Sequence, residues 1–145
     1  VILADKRDYL CGYRKHYSAY KSLHNAKDAI ISKRLLLAYS VECGLKYLLI
    51  DKWKITNLKL LLINNEDSRS KIIKSHNLEK ILKELGQTGT FKFPQILTKH
   101  KDNITSENFH QLCRYGIKVV EKDKCKEENY EEELKKIANW IAEGI

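Results

Sequence analysis

Methionine is absent from the 145 residues, and proline occurs once, at Pro94. With only six glycines besides, breakers are scarce, which disfavours a turn-rich β fold and favours helices. No 18-residue run is both apolar and free of charge, so no membrane span is expected. The nearest, Ile30 to Ile50, is interrupted by Lys33, Arg34, Glu42 and Lys46. No secretory leader is visible. The four cysteines, Cys11, Cys43, Cys113 and Cys125, include no pair at two-residue spacing. A zinc site is therefore not expected, nor any other metal or cofactor. Reduced thiols in a cytoplasmic protein are the simplest reading. A Gly-rich phosphate loop and a Ser-His-Asp set are also missing. Without an initiating Met, the chain is expected to be a trimmed form or part of a longer protein.

What is present is a globular composition, 43% hydrophobic and 32% charged, fitting one domain over residues 1–145. Net charge is +8 and unevenly spread. Residues 1–120 carry 22 Lys/Arg against 11 Asp/Glu, and residues 121–145 carry five against eight. Lysine-rich solvated helix faces are the plain reading of this; attraction for phosphates or an acidic partner is the functional one.

The dominant stretch is Asn25 to Trp53. Leu37, Val41, Leu45 and Leu48 recur at spacings of three and four, and Leu36, Tyr39, Cys43, Tyr47 and Ile50 cover the remaining girth. The spacing predicts a long helix of about 27 residues, or about 40 Å, with Asn25 as N-cap and Asp28 in the first turn. Ahead of it, Tyr9, Tyr13, Tyr17 and Tyr20 form a tyrosine stripe on a helix over residues 4–23. That stripe reads as a packing seam, or more sharply as a base-stacking platform.

After Trp53, Leu58, Leu61 and Leu62 suggest a short helix, and residues 64–70 a polar loop. Ser75 is the expected cap of a helix carrying Leu78, Ile81, Leu82 and Leu85, which Gly86 ends. Pro94 suits the first turn of a helix through Lys99. Thr105 or Ser106 is the expected cap of a helix with Phe109, Leu112 and Cys113 inward. Residues 117–126 read as loop or a short extended piece. Residues 127–145 close the chain with a stripe of Tyr130, Leu134, Ile137, Ala138 and Ile141. The fold expected is all-α: an up-and-down bundle of four to five helices around one long central helix.

Three pieces, in order, resemble the HEPN family of small helical domains, whose members bind nucleotides or cut RNA. The first is Ala38-Tyr39-Ser40-Val41-Glu42-Cys43-Gly44-Leu45-Lys46, similar to that family's second-helix signature. The second is Ser75-His76-Asn77-Leu78, similar to its His-Asp-Leu turn. The third is Leu112-Cys113-Arg114-Tyr115, which resembles its Arg-Tyr pair. The resemblance implies an RNA- or nucleotide-binding domain, acting as a homodimer or with a partner protein in a toxin/defence or nucleotidyltransferase-type system. A metal-independent endoribonuclease is the alternative. The family's ribonucleases carry an Arg, then four to six residues, then a His; no His closes that window after Arg114, so its pair here is non-standard. A non-catalytic helical interaction domain of a larger protein is the third reading.

The site residues expected are Arg114 and His76 for catalysis, with Glu42, Lys46, Tyr115 and His110 forming a polar pocket. Glu42 and Lys46, four apart, are neighbours on one helix and read equally as an internal brace. His110, four before Arg114, is placed to share its face.

Overall fold

The computed structural model describes residues 3–145. Three long helices carry the architecture: α1 (Lys6–Ser22), α2 (Ile30–Lys52) and α7 (Lys124–Gly144). Between α2 and α7 the chain runs through α3 (Leu58–Ile63), α4 (Ser68–Lys74), α5 (Leu78–Glu84), a hairpin of β1 (Ile96–Leu97) and β2 (Asn103–Ile104), and α6 (Phe109–Arg114). The all-α bundle around a long central helix is what the sequence led us to expect.

The central helix is buried through Leu37, Ala38, Ser40, Val41, Gly44, Leu45, Lys46, Leu49 and Ile50. Those positions face several directions, as the all-round hydrophobicity required. A short connection turns the chain back, so α1 and α2 are antiparallel: Lys6 bonds Asp51 at one end, and the Tyr13 carbonyl accepts from Ser40 Oγ (2.8 Å) further along. The α7 helix runs parallel to α2, because Arg34 meets Glu127 while Gly44 lies against Ile141. Short elements in the middle of the chain make the return, which lets both long helices point the same way.

The tyrosine stripe is a packing seam. Tyr13 and Tyr20 are buried, and their hydroxyls donate to the Ala138 carbonyl (2.7 Å) and to Glu131 Oε2 (2.6 Å) on α7. Each ring thus buries its apolar body and satisfies its polar tip. Beside Tyr20 lies an ion network absent from the sequence reading. Arg34 Nε is 2.7 Å from Glu131 Oε1, Arg34 Nη1 is 3.0 Å from Glu127, and Lys33 Nζ is 3.4 Å from Glu131. Burial pushes the Glu131 carboxyl up, but the Tyr20 hydroxyl and Arg34 outweigh it and hold the group below its ordinary value.

Several local expectations are corrected. A 3₁₀ turn at Lys27–Ala29 precedes α2, which starts at Ile30 without a side-chain cap, so Asn25 does not cap it. Residues 64–70 are not all loop: Asp67 caps α4, whose Ser70 and Ile73 are buried. Asn77 rather than Ser75 caps α5, accepting from the Lys80 N–H. Neither Thr105 nor Ser106 caps α6, which begins at Phe109 after Asn108. Pro94 leads into strand, not helix. Ile96, Thr98 and Ile104 are buried while Leu97 and Asn103 are less so, a period of two rather than 3.6. Val119 pairs with Thr98 as an added extended piece, so part of 117–126 is extended. Asp123 Oδ2 then accepts the Leu97 N–H (2.9 Å) and ties the hairpin to the start of α7.

A candidate imidazole and guanidinium face

Tyr39, Glu42 and Lys46 lie on one stripe of α2, at spacings of three and four, where α5 and α6 meet that helix. Asn77 starts α5 by accepting the Lys80 N–H, and its side-chain oxygen also accepts from Ser106 Oγ (2.9 Å). That lock fixes the turn just before α5, and with it His76. The short α6 sets its apolar residues Phe109, Leu112 and Cys113 inward, which leaves His110 and Arg114 together on another face.

Glu42 stands at the middle of the cluster. Its Oε1 is 3.0 Å from His76 Nδ1, and its Oε2 is 3.1 Å from Lys46 Nζ. An ionised carboxylate only accepts, so His76 presents Nδ1 as donor and leaves Nε2 for another partner. The His76 side chain is 59% exposed, whereas that of Lys46 is 5%. Lys46 also lies over the Tyr9 ring at 5.9 Å. Its ammonium is therefore an internal brace for Glu42, not a group open to a ligand.

His110 follows, its ring centroid 5.3 Å from that of His76 and 6.3 Å from that of Tyr39. Burial, then the neighbouring His76 and Arg114, push the His110 imidazole below its ordinary value, against an opposing pull from Glu42. At neutral pH this ring is an uncharged acceptor and donor. Arg114 Nη2 donates to the Tyr39 hydroxyl, and the guanidinium sits 5.9 Å from the Tyr39 ring centroid. Arg114 is itself exposed. His16 of α1 closes the row, its ring 5.9 Å from that of Tyr39.

The structure thus brings together Glu42, His76, His110 and Arg114, with Lys46 beneath them. Tyr115 is 67% exposed, and its hydroxyl interacts with Arg114 at the open end of the row. Sequence reasoning missed Tyr39 as the seat of the guanidinium, and His16. Tyr39 stands three before Glu42, which is a signal that it shares that helix face, but nothing local shows which distant residue it meets.

The hollow under Glu42, His76 and His110 measures about 10 Å³, room for about one water at most. The functional groups therefore form an open surface. Among the described residues, no group of three or more His, Cys, Asp or Glu is arranged to hold a metal ion. No described helix is long and apolar enough to cross a membrane. No family model, no curated protein and no solved structure matches the chain. Chemically, the face offers an oriented imidazole, a second neutral imidazole beside it and a fixed cation, a set able to contact a phosphodiester and to move a proton.

Proposed function

We propose that this chain is a HEPN-like domain that binds RNA across the face formed by His76, His110 and Arg114. The observation that carries the reading is the adjacency of two imidazoles and a tyrosine-seated guanidinium on open surface. An enclosed mononucleotide would need a cavity that this face lacks; a strand lying across it needs none. The net charge of +8 favours a polyanionic partner. Within this reading the protein works in the cytoplasm, where its four free cysteines stay reduced. It acts as a homodimer or beside a partner protein of a defence or nucleotidyltransferase-type system.

A second reading, metal-independent endoribonuclease, is favoured by one specific feature: the 5.3 Å ring separation of His76 and His110, with Glu42 orienting the first. Neutral His110 would accept the proton of an attacking ribose hydroxyl. His76 would donate one to the departing oxygen, and Arg114 would face the charge developing on phosphorus.

Incubation with total RNA in EDTA, beside filter binding at several salt concentrations, separates the two. Salt-sensitive binding weakened by Arg114→Ala, without cleavage, supports the binding domain. Cleavage abolished by both His76→Ala and His110→Ala supports the nuclease. RNA binding indifferent to all three substitutions leaves an interaction domain as the remaining reading.

A further inference from the structure

On the side of α6 turned away from the imidazoles, a half-enclosed hollow of about 440 Å³ opens. That volume lies within the ~300–1,000 Å³ typical of small-molecule sites. One part of its wall is apolar, built from Phe109, Leu112 and Cys113 of α6 with Ile117 and Val119 of the segment that follows. Ile31, 49% exposed at the start of α2, also borders it.

Two lysines line the same hollow, and the backbone puts them side by side. Thr98 pairs with Val119 in antiparallel fashion, and the Lys99 N–H donates to the Lys118 carbonyl at 2.9 Å. Lys99 therefore sits directly opposite Lys118. Like charges in that relation repel each other and weaken the pairing. Among the described residues neither ammonium has a salt-bridge partner, whereas the other ions lining the hollow do. Arg34 and Glu127 are bonded to each other, and Lys124 to Glu121. Lys99 feels only the more distant Glu121, which is already bonded to Lys124. A partly apolar cleft with two side-by-side lysines free of a direct ion pair is therefore complementary to a ligand with an apolar body and one anionic head.

We propose that this hollow binds a small amphipathic anion, its apolar body against Phe109, Leu112 and Ile117 and its carboxylate, sulfonate or phosphate head between Lys99 and Lys118. The two hollows share Phe109 as a wall, but none of His76, His110 and Arg114 lines this one, so the proposal does not depend on the RNA reading.

Isothermal titration with decanoate, and with decanol as its uncharged counterpart, tests the proposal. One decanoate per chain is expected, bound at least roughly tenfold more tightly than decanol, since charge-assisted contacts fix the head. Lys99→Gln combined with Lys118→Gln removes that preference and leaves decanol binding as it was. Ile31→Asp, an exposed change that sets a negative charge at the mouth, weakens decanoate selectively. Arg114→Ala leaves decanoate binding unchanged, so failure of the RNA reading and failure of this one remain distinct. Absence of decanoate binding, binding of several molecules per chain, or an affinity indifferent to the double lysine substitution would overturn the assignment.

Discussion

Glu42 Oε1 lies 3.0 Å from Nδ1 of His76, thirty-four residues further along the chain, while its other oxygen holds the buried ammonium of Lys46. One carboxylate thus joins an interior cation to a surface imidazole. Removing it strands Lys46, which is 4% exposed. Glu42→Ala is expected to cost about 3 kcal/mol, the usual scale for leaving a buried charge unpaired. Lys46→Met, which removes the buried charge itself, is expected to change stability by less than about 1 kcal/mol, because an apolar replacement avoids the desolvation cost. Urea unfolding of the two variants checks the order; equal losses would contradict the brace.

The Arg34–Glu131–Tyr20 network makes an acid-sensitive joint between α1, α2 and α7. Glu131 has a folded-state value below its ordinary one. Its contribution is therefore present above about pH 4.5 and lost as pH falls through the folded value. Glu131→Gln should flatten the acid limb of a stability–pH curve below about pH 4.5. Tyr20→Phe should cost about 2 kcal/mol, one hydrogen bond to a charged group that keeps Arg34. Arg34→Ala should cost more, about 3 kcal/mol, by leaving the buried carboxylate short of its main cation. Denaturant titrations from pH 3 to 7 measure all three.

His110 is held below its ordinary value by burial first and by His76 and Arg114 second. Its folding contribution is present above about pH 6.5 and declines as pH falls toward the folded value, because the unfolded chain takes up that proton first. Proton NMR titration should place its midpoint below that of a free histidine. His76→Gln, which deletes one positive neighbour, should move the midpoint upward. A midpoint that ignores the substitution would show that the two rings do not interact.

Gly44 of α2 faces Tyr13 of α1 and Ile141 of α7 at once. A Cβ there would stand 2.7 Å from Tyr13 Cδ1 and 2.9 Å from two Ile141 carbons. Its backbone is ordinary helix, so the reason for glycine is space, not conformation. Gly44→Ala is expected to cost about 1–3 kcal/mol through overpacking, despite the better helix propensity of alanine. Thermal unfolding checks the sign; a stabilised variant would mean the helices can separate freely.

Elements defined by their own periodicity were legible in the chain: α1, α2, α5 and α7 each carry a repeating apolar face. Elements defined by partners were not. The polar run before α4 hid a helix that needs only Asp67 as cap and Ser70 and Ile73 as anchors. Pro94 is compatible with either a helix start or a strand, and pairing of Ile96 with Ile104 decided for the strand. For the site, Glu42 and Lys46 were readable as neighbours because a helix fixes residues four apart. Arg114 and Tyr115 were readable as neighbours and both are exposed, but nothing local showed that Tyr39 of α2 would seat the guanidinium.

By itself the sequence determined that the protein is helical, that one long greasy helix sits at its centre, and that Glu42 and Lys46 share a face of it. Only the tertiary structure decided that His76 comes to Glu42, that His110 lies beside His76, that Arg114 rests on Tyr39, and that Lys99 confronts Lys118. Local spacing sets which side of an element a residue occupies. Which elements then meet is fixed by burial of the whole apolar surface and by where the intervening turns return the chain, and no single segment holds that information.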